Sequence, residues 1–156
     1  MLKRLAVVFA AIATMLATLL VAAAPVHAAN GDVKVTKSIP NLTFYVGGVP
    51  RSELRNGTVT FWKNTIDGGY WAVVNAQIRD RSTDGYCAKA AYSMGYASAW
   101  GYECNAEWKA FNATLDEPGY DRAQTVVIIL GRGSTTGTVF AGGLSTGVPI
   151  YAPAGW

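Results

Sequence analysis

Trp62 and Trp71 are the side chains best suited to hold a ligand, and the spacing around them sets polar groups at their side. Along Tyr70 to Asp80 the residues alternate. Ala72, Val74, Ala76 and Ile78 fall on one face, and Trp71, Val73, Asn75, Gln77 and Arg79 on the other. Before them, Val59 and Phe61 alternate with Thr58, Thr60, Trp62 and Asn64. A four-residue loop, Thr65-Ile66-Asp67-Gly68, then sets Phe61 against Ala72, Val59 against Val74 and Trp62 against Trp71. A slip of one residue would turn every side chain to the wrong face, so the pattern selects this register. Two indoles offer flat apolar area at little rotamer cost, which suits stacking on sugar rings. Asn75, Gln77 and Arg79 supply hydrogen bonds for hydroxyl groups. The competing reading is a cross-strand packing pair covered by a loop or a second sheet, worth under about 1 kcal/mol.

Other chemistry is scarcer. Asp80-x-Ser82-x-Asp84-Gly85 copies the opening half of a calcium loop, with oxygen donors at alternate positions. The distal bidentate glutamate is missing, because that position is Ala91, so the stretch reads as an Asp-Gly turn and no metal site is assigned. The one histidine, His27, lies close to the N-terminus in a segment read below as a leader. Without it, hydrolysis by a Ser-His or Cys-His pair and His-ligated zinc or copper sites are excluded. The acids Glu103, Glu107, Asp116, Glu117 and Asp121 have no spacing that assigns a glycosidase pair. The protein is expected to be non-enzymatic and to need no cofactor.

These groups must be positioned by strands, and the two cysteines define the firmest hairpin. If Cys87 lies opposite Cys104, the midpoint falls between Gly95 and Tyr96 and leaves Met94 and Ala97 as the last pair. Gly at the first loop position suits a type II′ turn, which needs φ > 0 there. Counting outward puts Cys87/Cys104 in the non-hydrogen-bonded class, with Cα atoms about 4.5 Å apart, where a disulfide fits. Turn chemistry and cysteine spacing agree on one register.

From Ala29 onward, short runs of Val, Thr, Tyr, Trp and Phe alternate with Gly, Asn-Gly and Asp-Gly punctuation, which reads as all-β. Strands are expected at Asp32–Lys37, Leu42–Val46, Thr58–Asn64, Gly69–Asp80, both arms of the cysteine hairpin, Glu107–Leu115, Gln124–Leu130, Thr138–Ala141 and Val148–Tyr151. Gln124–Leu130, apolar on both faces, is expected to be the most central. Gly47 to Gly57, closed by Asn56-Gly57, reads as a polar connection, and Asp116 to Asp121 as a loop. Eight or nine short strands at hairpin spacing point to a single-domain antiparallel β-sandwich, with a small closed barrel as the alternative.

The first 28 residues stand apart. Lys3 and Arg4 precede an apolar run from Leu5 to Ala24, Pro25 breaks it, and Val26-His27-Ala28 places small residues at a cleavage site. That is the pattern of a secretory signal peptide, with residues 29–156 as the exported domain. Removing it takes Lys3 and Arg4 from the 13 basic residues and leaves all 10 acidic ones, so the mature chain is near +1. Nothing there points to nucleic acid, or to a membrane surface once the leader is cut. Export also favours oxidation of the two cysteines.

The run Asp80-Arg81-Ser82-Thr83-Asp84-Gly85-Tyr86-Cys87-Ala88, followed by a Tyr-rich strand and a second cysteine, resembles a pattern in small secreted actinobacterial proteins of unknown function. The resemblance covers residues 70 to 105 and implies a compact extracellular β-domain with one disulfide. The function expected from the residues is that of a secreted binding protein, with an extracellular glycan or cell-wall polysaccharide as partner at Trp62, Trp71, Asn75, Gln77 and Arg79. The alternative is a secreted protein-interaction factor, a protease inhibitor or toxin-like effector, acting through a loop such as Asp116 to Asp121.

Overall fold

A computed structural model describes residues 32–66, 68–116 and 125–156. Leader residues 1–28 and most of the Asp116–Asp121 loop therefore lie outside the described residues. The elements are β1 (Asp32–Ile39), β2 (Leu42–Val46), β3 (Val49–Asn64), β4 (Tyr70–Asp80), β5 (Cys87–Met94), β6 (Ala97–Glu103), β7 (Lys109–Asp116), β8 (Val126–Gly133) and β9 (Ser145–Ile150), with a short 3-10 turn at Ala141–Gly143. They form two antiparallel sheets. The first has the order β1-β3-β4-β7, with β2 also on β3, and the second has β6-β5-β8-β9.

The architecture is the expected β-sandwich, and the barrel alternative is overturned. Edge strands β6 and β7 belong to different sheets and meet through side chains rather than through a ladder. Between the sheets lie Phe44, Leu54, Val59, Phe61, Val74 and Ile78 from the first, and Tyr92, Met94, Val126, Ile128 and Leu130 from the second. Each such aliphatic or aromatic side chain contributes roughly 1.5–3 kcal/mol on burial.

Both hairpin registers read from the sequence are present. Phe61 pairs with Ala72, Val59 with Val74 and Trp62 with Trp71. Ala88 pairs with Glu103 and Met94 with Ala97, and Gly95 at the turn has φ 58°. Cys87 and Cys104 form a disulfide with Cα atoms 4.2 Å apart. The apolar strand β8 is internal to its sheet, between β5 and β9.

Two expectations are corrected. The polar stretch Arg51 to Gly57 is not a connection but the first half of a 16-residue strand. Asn56-Gly57 is a bulge inside it, with Asn56 at φ 52° and the register shifting between Arg55 and Thr58. The extra residue moves the inward positions from Ser52 and Leu54 to Val59 and Phe61, which breaks the alternation that marks a strand. Glycine is required at 57, where a Cβ would stand 2.6 Å from the Ile39 Cβ. The actual turn is Gly47-Gly48, both at positive φ, which joins β2 to β3.

Thr138 to Ala141, expected as a strand, belongs instead to a strap from Ser134 to Leu144 that crosses the outer side of β5 and β8. Phe140 anchors it, pressed on Gly131 and tilted against Trp100 with centroids 5.5 Å apart. Beneath it Lys89 is only 2% exposed and donates from Nζ to the carbonyls of Gly137 and Ser134.

Candidate functional site

Alternation along β3 and β4 turns one set of side chains inward and leaves the other on the outer face of the first sheet. The pairings lay these outward residues in rows across four strands. The first row is Lys34, Trp62, Trp71 and Asp116. The second is Thr36, Thr60, Val73 and Thr114, and the third Ser38, Thr58, Asn75 and Asn112. Beyond the bulge come Arg55 beside Gln77, then Glu53 beside Arg79. Trp62, Trp71, Asn75, Gln77 and Arg79 are thus all on this face, in the order their spacing implied.

Their individual settings differ. Trp62 and Trp71 stack with centroids 5.7 Å apart and planes within 6°. Trp71 is 6% exposed, whereas Trp62 is half-buried. Of the two indoles on this face, Trp62 is thus the more exposed. The Lys34 ammonium lies 5.1 Å from the Trp62 ring. The Trp62 Nε1–H is buried and has no acceptor among the described residues. Further along, Thr36 and Thr60 share a 2.9 Å hydrogen bond, and Asn75, Asn112 and Thr114 are exposed. Gln77 is partly committed: its Oε1 accepts from Arg55 Nε at 3.2 Å and from Asn56 Nδ2 at 3.1 Å. Arg79 donates from Nε and Nη2 to Glu53 Oε2, at 3.1 and 2.6 Å.

The far end of the face is closed by residues that the sequence pattern did not single out. Trp108, just before β7, lies under two guanidinium groups, Arg55 at 3.8 Å and Arg79 at 4.5 Å from its ring centroid. A cleft of about 190 Å³ opens beside it, lined by Asn41, Leu42, Thr43, Glu53, Leu54, Arg55 and Trp108. The signal that could have found Arg55 is the change of inward parity across Asn56-Gly57. Once a bulge is placed there, Arg55 and Glu53 fall on the face of Trp62.

Asp80, Ser82 and Asp84 lie at one end of the sandwich, and protein donors take up their oxygens. Asp80 Oδ1 accepts from the Ser82 N–H at 3.0 Å and from its hydroxyl at 3.3 Å. Burial holds the Asp80 carboxyl above its usual range, against those hydrogen bonds. Asp84 is pushed up by burial too. The Tyr86 N–H, the Ser82 hydroxyl and the Arg132 guanidinium outweigh that and bring it below the usual range. Arg132 bonds the Asp84 carboxylate directly, and Arg51 stands 3.4 Å from the same oxygen. Among the described residues no three His, Cys, Asp or Glu side chains come together as a metal site. Nor is any helix among them long and apolar enough to cross a membrane.

No family model, curated protein or solved structure matches the chain.

Proposed function

We propose that the protein is exported, cut after Ala28, and acts as a non-enzymatic extracellular module that binds a polysaccharide along the outer face of its first sheet. In this reading it is one of the small secreted actinobacterial β-domain proteins that its Asp80–Ala88 stretch resembles. The observation that supports it is the layout of the face. Exposed hydroxyl and amide groups of Thr36, Asn75, Asn112 and Thr114 lie between an outward indole, Trp62, and the cleft beside Trp108. Sugars present an apolar ring face edged by hydroxyls, which an indole and neighbouring amides match directly. Along β4, the eight steps from Trp71, at the level of Trp62, to Arg79 span about 27 Å at ~3.4 Å per residue, so the partner suited to the whole face is a chain rather than one sugar. Glu53 is engaged by Arg79 and stands 3.7 Å from Arg81, so it serves as a structural partner rather than as a catalytic acid.

Titration with oligosaccharides from chitin, cellulose and peptidoglycan tests this through tryptophan fluorescence. Binding of one series is expected to shift the emission. Trp62→Ala is expected to weaken that affinity about tenfold, the equivalent of one lost aromatic stack. Absence of any response across the three series would end the proposal.

A further inference from the structure

We infer that the glycan is anionic, and that Arg55 is the residue that receives its carboxylate or phosphate in the cleft beside Trp108. The inference rests on the polysaccharide reading for the polymer, but not for the charge. Two guanidiniums, Arg79 and Arg81, share the Glu53 carboxylate at this end of the sheet, and a third, that of Arg55, lies with Arg79 over the Trp108 ring. Glu53 is used by two of them: Arg79 donates twice to Oε2, and Arg81 Nε stands 3.7 Å from Oε1. Arg55 is left over. Its Nε donates to Gln77, its guanidinium lies 3.8 Å from the Trp108 centroid, and its two terminal nitrogens have no protein acceptor among the described residues.

A guanidinium fixed at Nε and laid on an indole is already oriented before any ligand arrives. Its open side is a planar fork that matches two oxygens of a carboxylate or phosphate. The cleft it borders is lined also by the polar residues Asn41 and Thr43, by Trp108, and by Glu53, whose negative charge is already met by Arg79 and Arg81. At about 190 Å³ it is below the usual size of a drug-sized pocket, and it suits one charged sugar unit rather than a whole oligosaccharide. The rest of the polymer would then run along the hydroxyl and amide rows towards Trp62. Because the mature chain carries almost no net charge, selectivity for an anion has to come from this local arrangement and not from the overall field.

The test compares monomeric and polymeric ligands of both charges on the full mature chain. The indole N–H resonances of Trp108 and Trp62 are followed by NMR. Galacturonate and inorganic phosphate are expected to move the Trp108 signal, and galactose at the same concentration is not. The two anions separate a carboxylate preference from a phosphate one. Oligogalacturonate is expected to bind about tenfold or more tighter than the neutral oligosaccharide of equal length, as a charge-assisted bidentate pair provides. Arg55→Gln should abolish that preference. Arg55→Lys, which keeps the charge but loses the fork, should lose most of it. Trp62→Ala should weaken charged and neutral polymers alike. Equal binding of charged and neutral polymers, unchanged in Arg55→Gln, overturns the anion inference and leaves the polysaccharide reading standing. A Trp108 response to galacturonate without polymer binding does the reverse. Silence to every ligand removes both.

Discussion

Asp84 and Asp80 sit four residues apart and respond to acid in opposite directions. The carboxyl of Asp84 lies below its usual range, so the stability it contributes is present above about pH 4 and is lost as pH falls through its folded value. That of Asp80 is raised, so its contribution is present below the usual carboxylate range and is lost as pH rises through the folded value. Asp84→Asn is therefore expected to lower the melting temperature at neutral pH and to flatten its decline in acid. Asp80→Asn is expected to leave the acid decline in place. Melting curves between pH 2 and about 7 check both signs. Gly101 gives a second prediction at this scale. A Cβ there would stand 2.7 Å from the Phe111 ring, which itself stacks on Tyr92 with centroids 4.3 Å apart. Gly101→Ala should cost about 1–3 kcal/mol in denaturant unfolding, because the Phe111 ring has to shift out of its stack on Tyr92.

At the scale of elements, the strap over the second sheet rests on one lysine and one phenylalanine. Lys89→Met keeps the stem but leaves the carbonyls of Ser134 and Gly137 without their donor, at a cost of about 1–3 kcal/mol. The strap should then be cut sooner by protease than the wild-type strap, as limited digestion would show. This element also marks where sequence reasoning stops. Residues 134–144 carry no alternation, and Phe140 finds its place only because Gly131, distant in sequence, leaves a gap for its ring. The hairpins were legible for the opposite reason. Cys87, Gly95 and Cys104 fix one register by counting alone, and Val59, Phe61, Ala72 and Val74 fix another by period-two burial. Strand β3 shows the intermediate case: its second half was legible, while the bulge at Asn56-Gly57 hid the first half. Of the candidate face, Trp62, Trp71, Asn75, Gln77 and Arg79 were therefore readable. Glu53 and Arg55 were not, being on the far side of that parity change, and the guanidinium contacts of Trp108 needed the folded sheet.

For the whole molecule, two sheets of four and five strands depend on non-local pairing and on one cross-link. Reducing Cys87–Cys104, whose sequence separation is 17, should destabilise the fold by about 3 kcal/mol in the chain-entropy model. The bridge ties β5 to the end of β6 on the second sheet, and the proposed binding face lies on the outer side of the first. Reduction is thus expected to lower the melting temperature without changing ligand affinity at temperatures where the protein stays folded. In the proposed reading the second sheet covers the inner face of the first and leaves the outer face to a ligand. The most direct test is to follow the indole N–H signals of all five tryptophans while an acidic oligosaccharide is added. Trp62 and Trp108 are expected to shift together at one affinity, with Trp100 unmoved. A shift confined to Trp100, or none at all, would contradict the account.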